Sequence, residues 1–352
     1  MDLLARLNND SALIRARLEV LTRQSASGRR SERLGDISPE APRAINLSND
    51  IARRTVYTRS IDQSQGRIEV TQATLHRLKS IANEFRTDIA MRLDAKDPQA
   101  LATVQARARS AALEVGNLLN STMGGEYLFG GSDLTRPPVP DAANLLNSTM
   151  ATTIATAIGS LNDSNAAAVS AATLAAAQDT SPGGSVFSTF LEDPATGGTE
   201  PRRSVPSGDR QLVAYGVVAN RNALARSEGE TTGGWSRDLL RGLFSLAALT
   251  PTQAQSEQGF GAIAENIRRI FVSAEGALAE EQGSLGAISS QLQAQRDRHG
   301  NIADSLRIQL VDITDVDLAA TLTRLQSTQN ALQASYRAIS SIASLTLTSF
   351  LR

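Results

Sequence analysis

The sequence contains no cysteine, only two histidines and one tryptophan among 352 residues. Without cysteine the chain forms no disulfide, thiol nucleophile or thiolate metal site. Because His76 and His299 are the only histidines, we expect no multi-histidine metal site. Aromatic residues make up 4% of the chain, which favours helices packed on helices over a β-sandwich or barrel.

An excess of either charge is also lacking. The 35 basic and 36 acidic residues give a formal net charge of −1, without the positive excess of a dedicated nucleic-acid binder. No apolar run approaches the ~18 residues of a membrane span. The first 21 residues carry charges throughout and no apolar h-region, so we expect no Sec-type signal peptide. These signals alone predict a cytoplasmic protein.

Motifs that carry catalysis are missing as well. The sequence has no Walker A, GxSxG or HExxH pattern, and the glycines of residues 124–131 are not followed by Lys-Ser or Lys-Thr. Acidic neighbours such as Glu280 and Glu281 are typical of solvated helix faces or caps. The sequence therefore predicts no enzyme, no cofactor and no metal.

Helical periodicity is strongest near the two ends of the chain. Apolar residues follow the alternating three- and four-residue spacing of a coiled-coil a/d seam, with Ser11 as a polar member. At the N-terminal end these are Leu4, Leu7, Ile14, Leu18 and Leu21; at the C-terminal end they are Leu318, Leu322, Leu325, Leu332, Tyr336 and Ile339.

Three further helical stretches lie inside these ends. One runs from about Ala44 to Asp97-Pro98, where proline forces a break, and one runs from Leu101 to Leu118. A third carries apolar residues from Ile263 to Leu306 and is interrupted by residues 312–317 (DITDVD). Three acids and a threonine are typical of a helix start, because their side chains accept from orphan backbone N–H groups.

The helical pattern fails between Gly124 and Thr250, where glycine and proline cluster. Short apolar runs at Ser185–Leu191 and Gln211–Val218 predict strands. The alanine-rich stretch Asn165–Ala177 predicts a short helix or a flexible segment, and residues 238–249 predict a helix. The heptapeptide NLLNSTM occurs at residues 117–123 and again at 144–150, as a local duplication or as reuse of one helix-end sequence.

The fold class predicted is mainly α with a β-containing insert, built on a long antiparallel coiled-coil or bundle stalk from the N- and C-terminal segments. Apolar seams near both ends expose surface that must be covered. The two ends either pack on each other in a monomeric bundle or bury against other copies of the chain. We favour the second interpretation.

Three stretches resemble the flagellin-like axial proteins of the bacterial flagellum. The segment Leu13–Arg30, ending LTRQSASGRR, is similar to the family's N-terminal helix and the Ser-x-Gly-basic turn after it. Residues 315–352 are similar to its C-terminal helix, with an Asp-x-Asp-Leu start and a Gln-x-Ala-Leu-x-Ala-Ser core. The third stretch, Leu118–Gly131 (LLNSTMGGEYLFGG), is similar to the helix end and turn of the proteins at the hook–filament junction; its turn residues are Gly125, Tyr127, Leu128, Phe129, Gly130 and Gly131.

The resemblance implies a structural subunit at the hook–filament junction, with flagellin itself and a soluble coiled-coil regulatory module as alternatives. It implies a ring of copies, a hook-associated neighbour on the hook side, a flagellin or flagellin-like neighbour on the filament side, and an export chaperone. It revises the location to the extracellular flagellum, reached through type III export without a cleaved signal. The expected divisions are terminal coiled-coil segments (1–43 and 300–352) that order on assembly, a helical stalk (44–125 and 251–299), and an outer β-containing domain (126–250).

Overall fold

The computed structural model describes residues 3–93, 97–197 and 201–350, with side chains for all of these except 3–5, 34, 92 and 342–350. Most of the described residues are helical. The helices are α1 Leu3–Ser27, α2 Ala41–Arg92, α3 Pro98–Leu119, α4 Thr149–Gly159, α5 Ala166–Gln178, α6 Thr189–Glu192, α7 Trp235–Ala248, α8 Pro251–Ala254, α9 Glu257–Thr314 and α10 Leu318–Phe350.

The strands form two small antiparallel hairpins. In the first, β1 (Thr122–Met123) pairs with β2 (Glu126–Tyr127); in the second, β3 (Ser204–Gly208) pairs with β4 (Gln211–Ala214). Mainly helical architecture with a small β-containing insert is confirmed, together with the long helices and their breaks near Pro98 and residues 312–317. No helix in the described ranges has the length and apolarity that a membrane crossing needs.

The chain divides into two compact units. The terminal unit comprises residues 1–56 and 298–352, and the central unit comprises residues 57–297. In the terminal unit α1 packs along α10, and a small core of Ile37, Ala44, Leu47 and Ile313 joins the start of α2 to the end of α9.

The core of the central unit lies among α2, α3, α7 and α9. Leu75, Leu78 and Phe85 of α2 are buried in it, and the Phe85 ring stacks on Phe271 of α9 with centroids 5.9 Å apart. A Cβ on Gly242 of α7 would come within 2.8 Å of the Phe271 ring, so glycine is required where α7 crosses this ring.

Helix α7 is buried along its whole length and brings charged groups into the core. Arg241 is fully buried and donates to the Thr173 hydroxyl at 3.0 Å and to the Ser170 carbonyl at 2.9 Å. It also pairs with Glu230 at 2.8 Å. Arg237 pairs with the buried Glu192. A buried charge is tolerable only when its hydrogen bonds are satisfied, so these contacts fix the insert against α7.

Two strand predictions in the insert need correction. Residues 185–191 do not form a strand: they turn and then enter α6, because the Ser188 side chain caps that helix by accepting from the Leu191 N–H. Val186 and Phe187 are buried as anchors of this turn. The predicted strand 211–218 ends as β4 at Ala214, and Val218 forms an isolated bridge with Gly130. The alanine-rich stretch is helix α5, and the predicted helix at 238–249 is α7.

A carboxylate on α9 holds the loop that precedes α7. Glu281 is 1% exposed, and one of its oxygens accepts from the backbone N–H groups of Ala223, Leu224 and Ala225 at 2.5–3.2 Å. The adjacent Glu280 is exposed and accepts from the Arg226 N–H at 2.8 Å. The loop therefore depends on one buried carboxyl group for three of its donors.

We expect Glu281→Ala to lower the free energy of unfolding by about 2 kcal/mol, because it leaves three N–H groups, including that of the buried Ala225, without their acceptor. Glu280→Ala is the matched control and should cost less than about 1 kcal/mol. Urea unfolding followed by circular dichroism measures both, and amide exchange at residues 223–225 locates the effect. Equal losses of stability in the two variants would contradict the assigned role of Glu281 in holding the loop.

Candidate assembly surface

The α1–α10 pair of the terminal unit is held along a narrow, partly polar face. Ser11 is fully buried, and its hydroxyl lies 2.6 Å from the hydroxyl of Ser335. Thr321 is buried, and Thr328 and Ser335 follow it at intervals of seven residues, both half-buried. Small polar residues at one heptad position let the two helices approach closely, while hydroxyl hydrogen bonds satisfy the polar atoms.

The predicted N-terminal seam lies on the contacting side of α1. Leu21 is buried, and Leu7, Ile14 and Leu18 are half-buried, whereas the residues between them are mostly exposed. The side chain of Leu4 lies outside the described ones. Sequence periodicity therefore located the inner face of this helix.

The predicted C-terminal seam divides between two environments. Leu325, Leu332 and Ile339 are half-buried on the side of α10 that carries Thr321 and Ser335. Leu318, Leu322 and Tyr336 are 49%, 51% and 46% exposed. The contact with α1 is centred on the threonine and serine positions, so half of the apolar seam lies beside the contact rather than in it.

An uncovered apolar ridge results. We define the ridge as Ile308, Val311, Leu318, Leu322 and Tyr336, all exposed in the single chain. By sequence spacing these residues stay in one heptad register across the α9–α10 break, with Asp315 at the break. Nine of the 14 large exposed apolar side chains found among the described residues belong to the terminal unit. Such a concentration of exposed apolar surface is typical of an interaction site.

The Tyr336 ring of the ridge is oriented by a cation. The Arg15 guanidinium of α1 lies 5.7 Å from the centroid of that ring, a distance at which a cation and an aromatic face attract each other. Arg15 thus connects helix α1 to the Tyr336 side of the ridge.

Two backbone hydrogen bonds, which we call the stitch, join the turn after α1 to the break between α9 and α10. The Arg30 N–H donates to the Thr314 carbonyl at 2.8 Å, and the Val316 N–H donates to the Gly28 carbonyl at 2.9 Å. The Arg30 guanidinium also donates to the Asp312 carbonyl at 2.9 Å. The turn Ser27-Gly28-Arg29 and the Asp-x-Asp-Leu start at residues 315–318, far apart in sequence, therefore meet here.

The glycine-rich turn of the central unit is a hairpin in which some residues form the turn and others pack in the core. Gly124 and Gly125 have φ of +62° and +81°, the left-handed values that a tight two-residue hairpin turn requires. Phe129 is fully buried, and its carbonyl accepts from the Ala219 N–H at 2.9 Å. A Cβ on Gly130 would lie 2.4 Å from the Asp133 carbonyl oxygen, so this position needs glycine.

The remaining motif residues complete the turn. Tyr127 and Leu128 are half-buried, the Tyr127 N–H donates to the Leu134 carbonyl at 2.9 Å, and the Leu128 N–H donates to the Ser121 carbonyl at 3.0 Å. Gly131 has a φ of +67°. The motif is therefore a compact scaffold element.

Two arginines clamp this hairpin through one carboxylate. Glu126 of β2 pairs with Arg67 of α2 and with Arg203, at 3.1 Å for the second. Partial burial opposes ionisation of Glu126, but hydrogen bonds and charge from Arg203 and Arg67 outweigh it and hold its pKa below the ordinary value. Sequence reasoning missed this contact, because no local pattern connects three residues so far apart.

Asp238, another carboxyl group with a shifted pKa, also has a structural role. Burial raises the pKa of Asp238, which accepts from Thr231 and from the Thr232 N–H at 2.8 Å. His76 is exposed, and the Nδ1 atom of the buried His299 lies 3.1 Å from an Arg54 nitrogen. Within the described ranges no three His, Cys, Asp or Glu residues are grouped as a metal site would need.

One comparison bears on the C-terminal part of the chain. Residues 271–351 match the family model described as the bacterial flagellin C-terminal helical region. The C-terminal part of the chain is flagellin-like. The matched segment contains most of α9, the break and all of described α10, and thus the whole ridge. No curated protein matches the chain.

This match supports a structural, self-assembling subunit of the extracellular bacterial flagellum rather than an enzyme. The flagellin-like segment is also the one that carries the exposed ridge. The site predicted from sequence and the segment matched by the family therefore coincide on α10.

The Glu126 clamp predicts a specific pH dependence. Because its pKa is lowered in the folded protein, its stabilisation is complete above the ordinary carboxyl pKa of 4.5 and is lost as the pH falls through the lowered value. Glu126→Gln should therefore destabilise the protein near neutral pH, by about 1 kcal/mol given the partial exposure. This difference from the unsubstituted protein should shrink below pH 4.5.

The exposed Glu69, two residues after Arg67 on α2, provides the control. Glu69→Gln should change stability little at either pH. Chemical unfolding at neutral and acidic pH measures all three proteins, and a Glu126→Gln loss that persists unchanged in acid would refute the assigned clamp.

Proposed function

We propose that this chain is the structural adaptor between the hook and the filament of the flagellum. The observation that carries the proposal is the ridge on the flagellin-like segment, which a single chain leaves uncovered beside its own helix pair. Copies of the chain would form a ring, with a hook-associated protein on one side and a flagellin or flagellin-like protein on the other.

The turn at Gly125–Gly131 supports the junction role over bulk filament formation. Its sequence resembles that of junction proteins, and it folds as a clamped hairpin in the central unit. Export would use the flagellar type III channel, assisted by a chaperone.

Assembly would order the terminal helices. A helix held mainly by tertiary contacts is marginal alone, and among the described side chains of α1 and α10 only Ser11, Leu21 and Thr321 are buried. We propose that residues 1–43 and 300–352 are loosely held in the soluble subunit and become protected on docking.

The charges of this pair support unlike neighbours on the hook side and the filament side. Helices α1 and α10 together carry six arginines and two acidic residues, Asp10 and Glu19, a net +4. On those two sides, acidic flanks on the neighbouring protein would attract the pair, whereas a second pair of the same charge would repel it. An adaptor meets different proteins at its two ends, while a bulk filament subunit meets only itself.

Location is the deciding experiment. Immuno-electron microscopy of flagella from the native host should place the chain at the hook tip alone. Labelling along the whole filament would instead identify the alternative, flagellin, and seeded polymerisation into long filaments would agree with it. A stable monomer or dimer retained in the cytoplasm would identify a coiled-coil regulatory module.

Leu322→Asp should abolish incorporation into flagella and motility. A buried leucine contributes about 1.5–3 kcal/mol, so its loss weakens an interface roughly tenfold or more. Ser327→Asp is the control, since Ser327 is exposed on the same helix but lies ~140° around it from Leu322. Swimming assays and circular dichroism are read together; normal motility of a folded Leu322→Asp variant would refute the ridge as an assembly surface.

Hydrogen exchange tests the assembly-coupled order of the terminal segments. In the soluble subunit, amides of α1 and α10 should exchange faster than those of residues 75–89, whose apolar side chains are buried in the central core. In isolated flagella the same terminal amides should become protected. Equal protection of both regions in the free subunit would exclude ordering on assembly.

A further inference from the structure

The duplicated heptapeptide builds the same turn twice. In the first copy the N–H and Oγ of Ser121 donate to the Leu118 carbonyl at 3.1 and 2.7 Å. In the second copy the N–H and Oγ of Ser148 donate to the Leu145 carbonyl at 3.2 and 2.7 Å. The first turn leads out of α3 and the second leads into α4, yet the asparagine before each serine occupies the same place in the turn.

In the first copy this asparagine holds another segment of chain. The Asn120 Nδ2 donates to the Val139 carbonyl at 2.8 Å, and the Val139 N–H donates to the Asn120 Oδ1 at 2.9 Å. A carboxamide has one donor side and one acceptor side, so it pairs with the backbone of one residue much as a neighbouring strand would. Val139 is fully buried and stands between two prolines.

In the second copy the equivalent amide, that of Asn147, pairs with no other described segment of the chain. The Asn147 side chain is exposed, and its amide has no hydrogen-bond partner among the described residues. It stands on the shared rim of two open recesses of about 550 and 470 Å³. The lining of the first is mixed: it includes Pro137, Pro140, Phe187 and Phe190 together with the charged residues Asp133, Arg136 and Asp141. The second is lined by Gln105, Arg109, Ala151, Phe244 and Ala247, among others.

A positive charge marks the second recess. Arg109 is exposed, and its one recorded bond within the described structure is a long one of 3.4 Å to the Ala247 carbonyl. Among the described residues that line that recess, Arg109 alone is charged. The recess therefore complements a segment that carries an acidic residue.

We propose that Asn147 is a recognition site for an extended, proline-flanked peptide segment of another polypeptide. The chemistry of the ligand is that of the segment seated on the first copy, Pro138-Val139-Pro140-Asp141: one residue whose backbone pairs with the amide, prolines that keep it extended, and an acid for Arg109. A second copy of this chain would not supply it in this form, because Pro138 and Val139 are already buried.

The probe is a fluorescein-labelled peptide with the sequence of residues 135–142, TRPPVPDA, added to the full chain. Fluorescence anisotropy should show saturable binding with a Kd on the order of 0.1–1 mM. Asn147→Ala should weaken binding roughly tenfold or more, since both hydrogen bonds of the amide are lost. Arg109→Gln should weaken it less and reduce its dependence on salt.

Asn117→Ala is the matched control, because Asn117 is an exposed asparagine of the first copy outside both recesses; it should bind like the unsubstituted chain. A peptide with alanine at all three prolines should bind more weakly. No saturable binding at millimolar peptide, or equal binding by the Asn147→Ala chain, would overturn the proposal. Self-association of the chain that Asn147→Ala abolishes would also overturn it, because the occupant would then be a second copy.

Discussion

The pairing of α1 with α10 is the constraint on which the terminal unit depends. Its closest contact is a serine–serine hydrogen bond, Ser11 to Ser335, with Thr321 buried on the same face. Small hydroxyl residues bring two helices together but bury little apolar area, so the pair gains modestly from the hydrophobic effect. The leucines that could have deepened the contact are displaced to its edge. The ridge is thus exposed in the single chain because of the register in which α10 packs on α1.

The break between α9 and α10 shows that tertiary contacts can end a helix without proline or glycine. Neither residue occurs between Asn301 and Arg352, and the heptad spacing continues through the break. Helix α9 ends where the Val316 N–H donates to the Gly28 carbonyl instead of to a carbonyl of its own helix. Helix α10 then begins at Asp317, whose carboxylate accepts from the Ala320 N–H at 3.1 Å. The position of α10 therefore depends on the N-terminal turn.

Sequence periodicity predicted the long helices, their approximate ends and the inner face of α1, because repeating burial leaves a repeating pattern. On α10 it identified the apolar seam, but it could not show that the α1 contact is centred one heptad position away, on Thr321, Thr328 and Ser335. The interval of seven residues between these hydroxyls was a usable signal. The contacts of Glu126 and Glu281 could not be predicted, because a single carboxylate carries no periodicity and its partners lie far along the chain.

In the insert, tertiary contacts override the strand propensity of individual residues. Val186 and Phe187 favour a strand by residue type, yet they anchor a turn, because Ser188 caps α6 and its N–H donates to the Pro138 carbonyl at 2.8 Å. The two NLLNSTM copies make the same point: seven identical residues end α3 at one site and start α4 at the other. The local turn is set by the sequence, whereas the direction of the helix is set by what packs around it. The fold thus covers some of the repeated features, at Asn120 and on the inner face of α1, and leaves others exposed, at Asn147 and along the ridge.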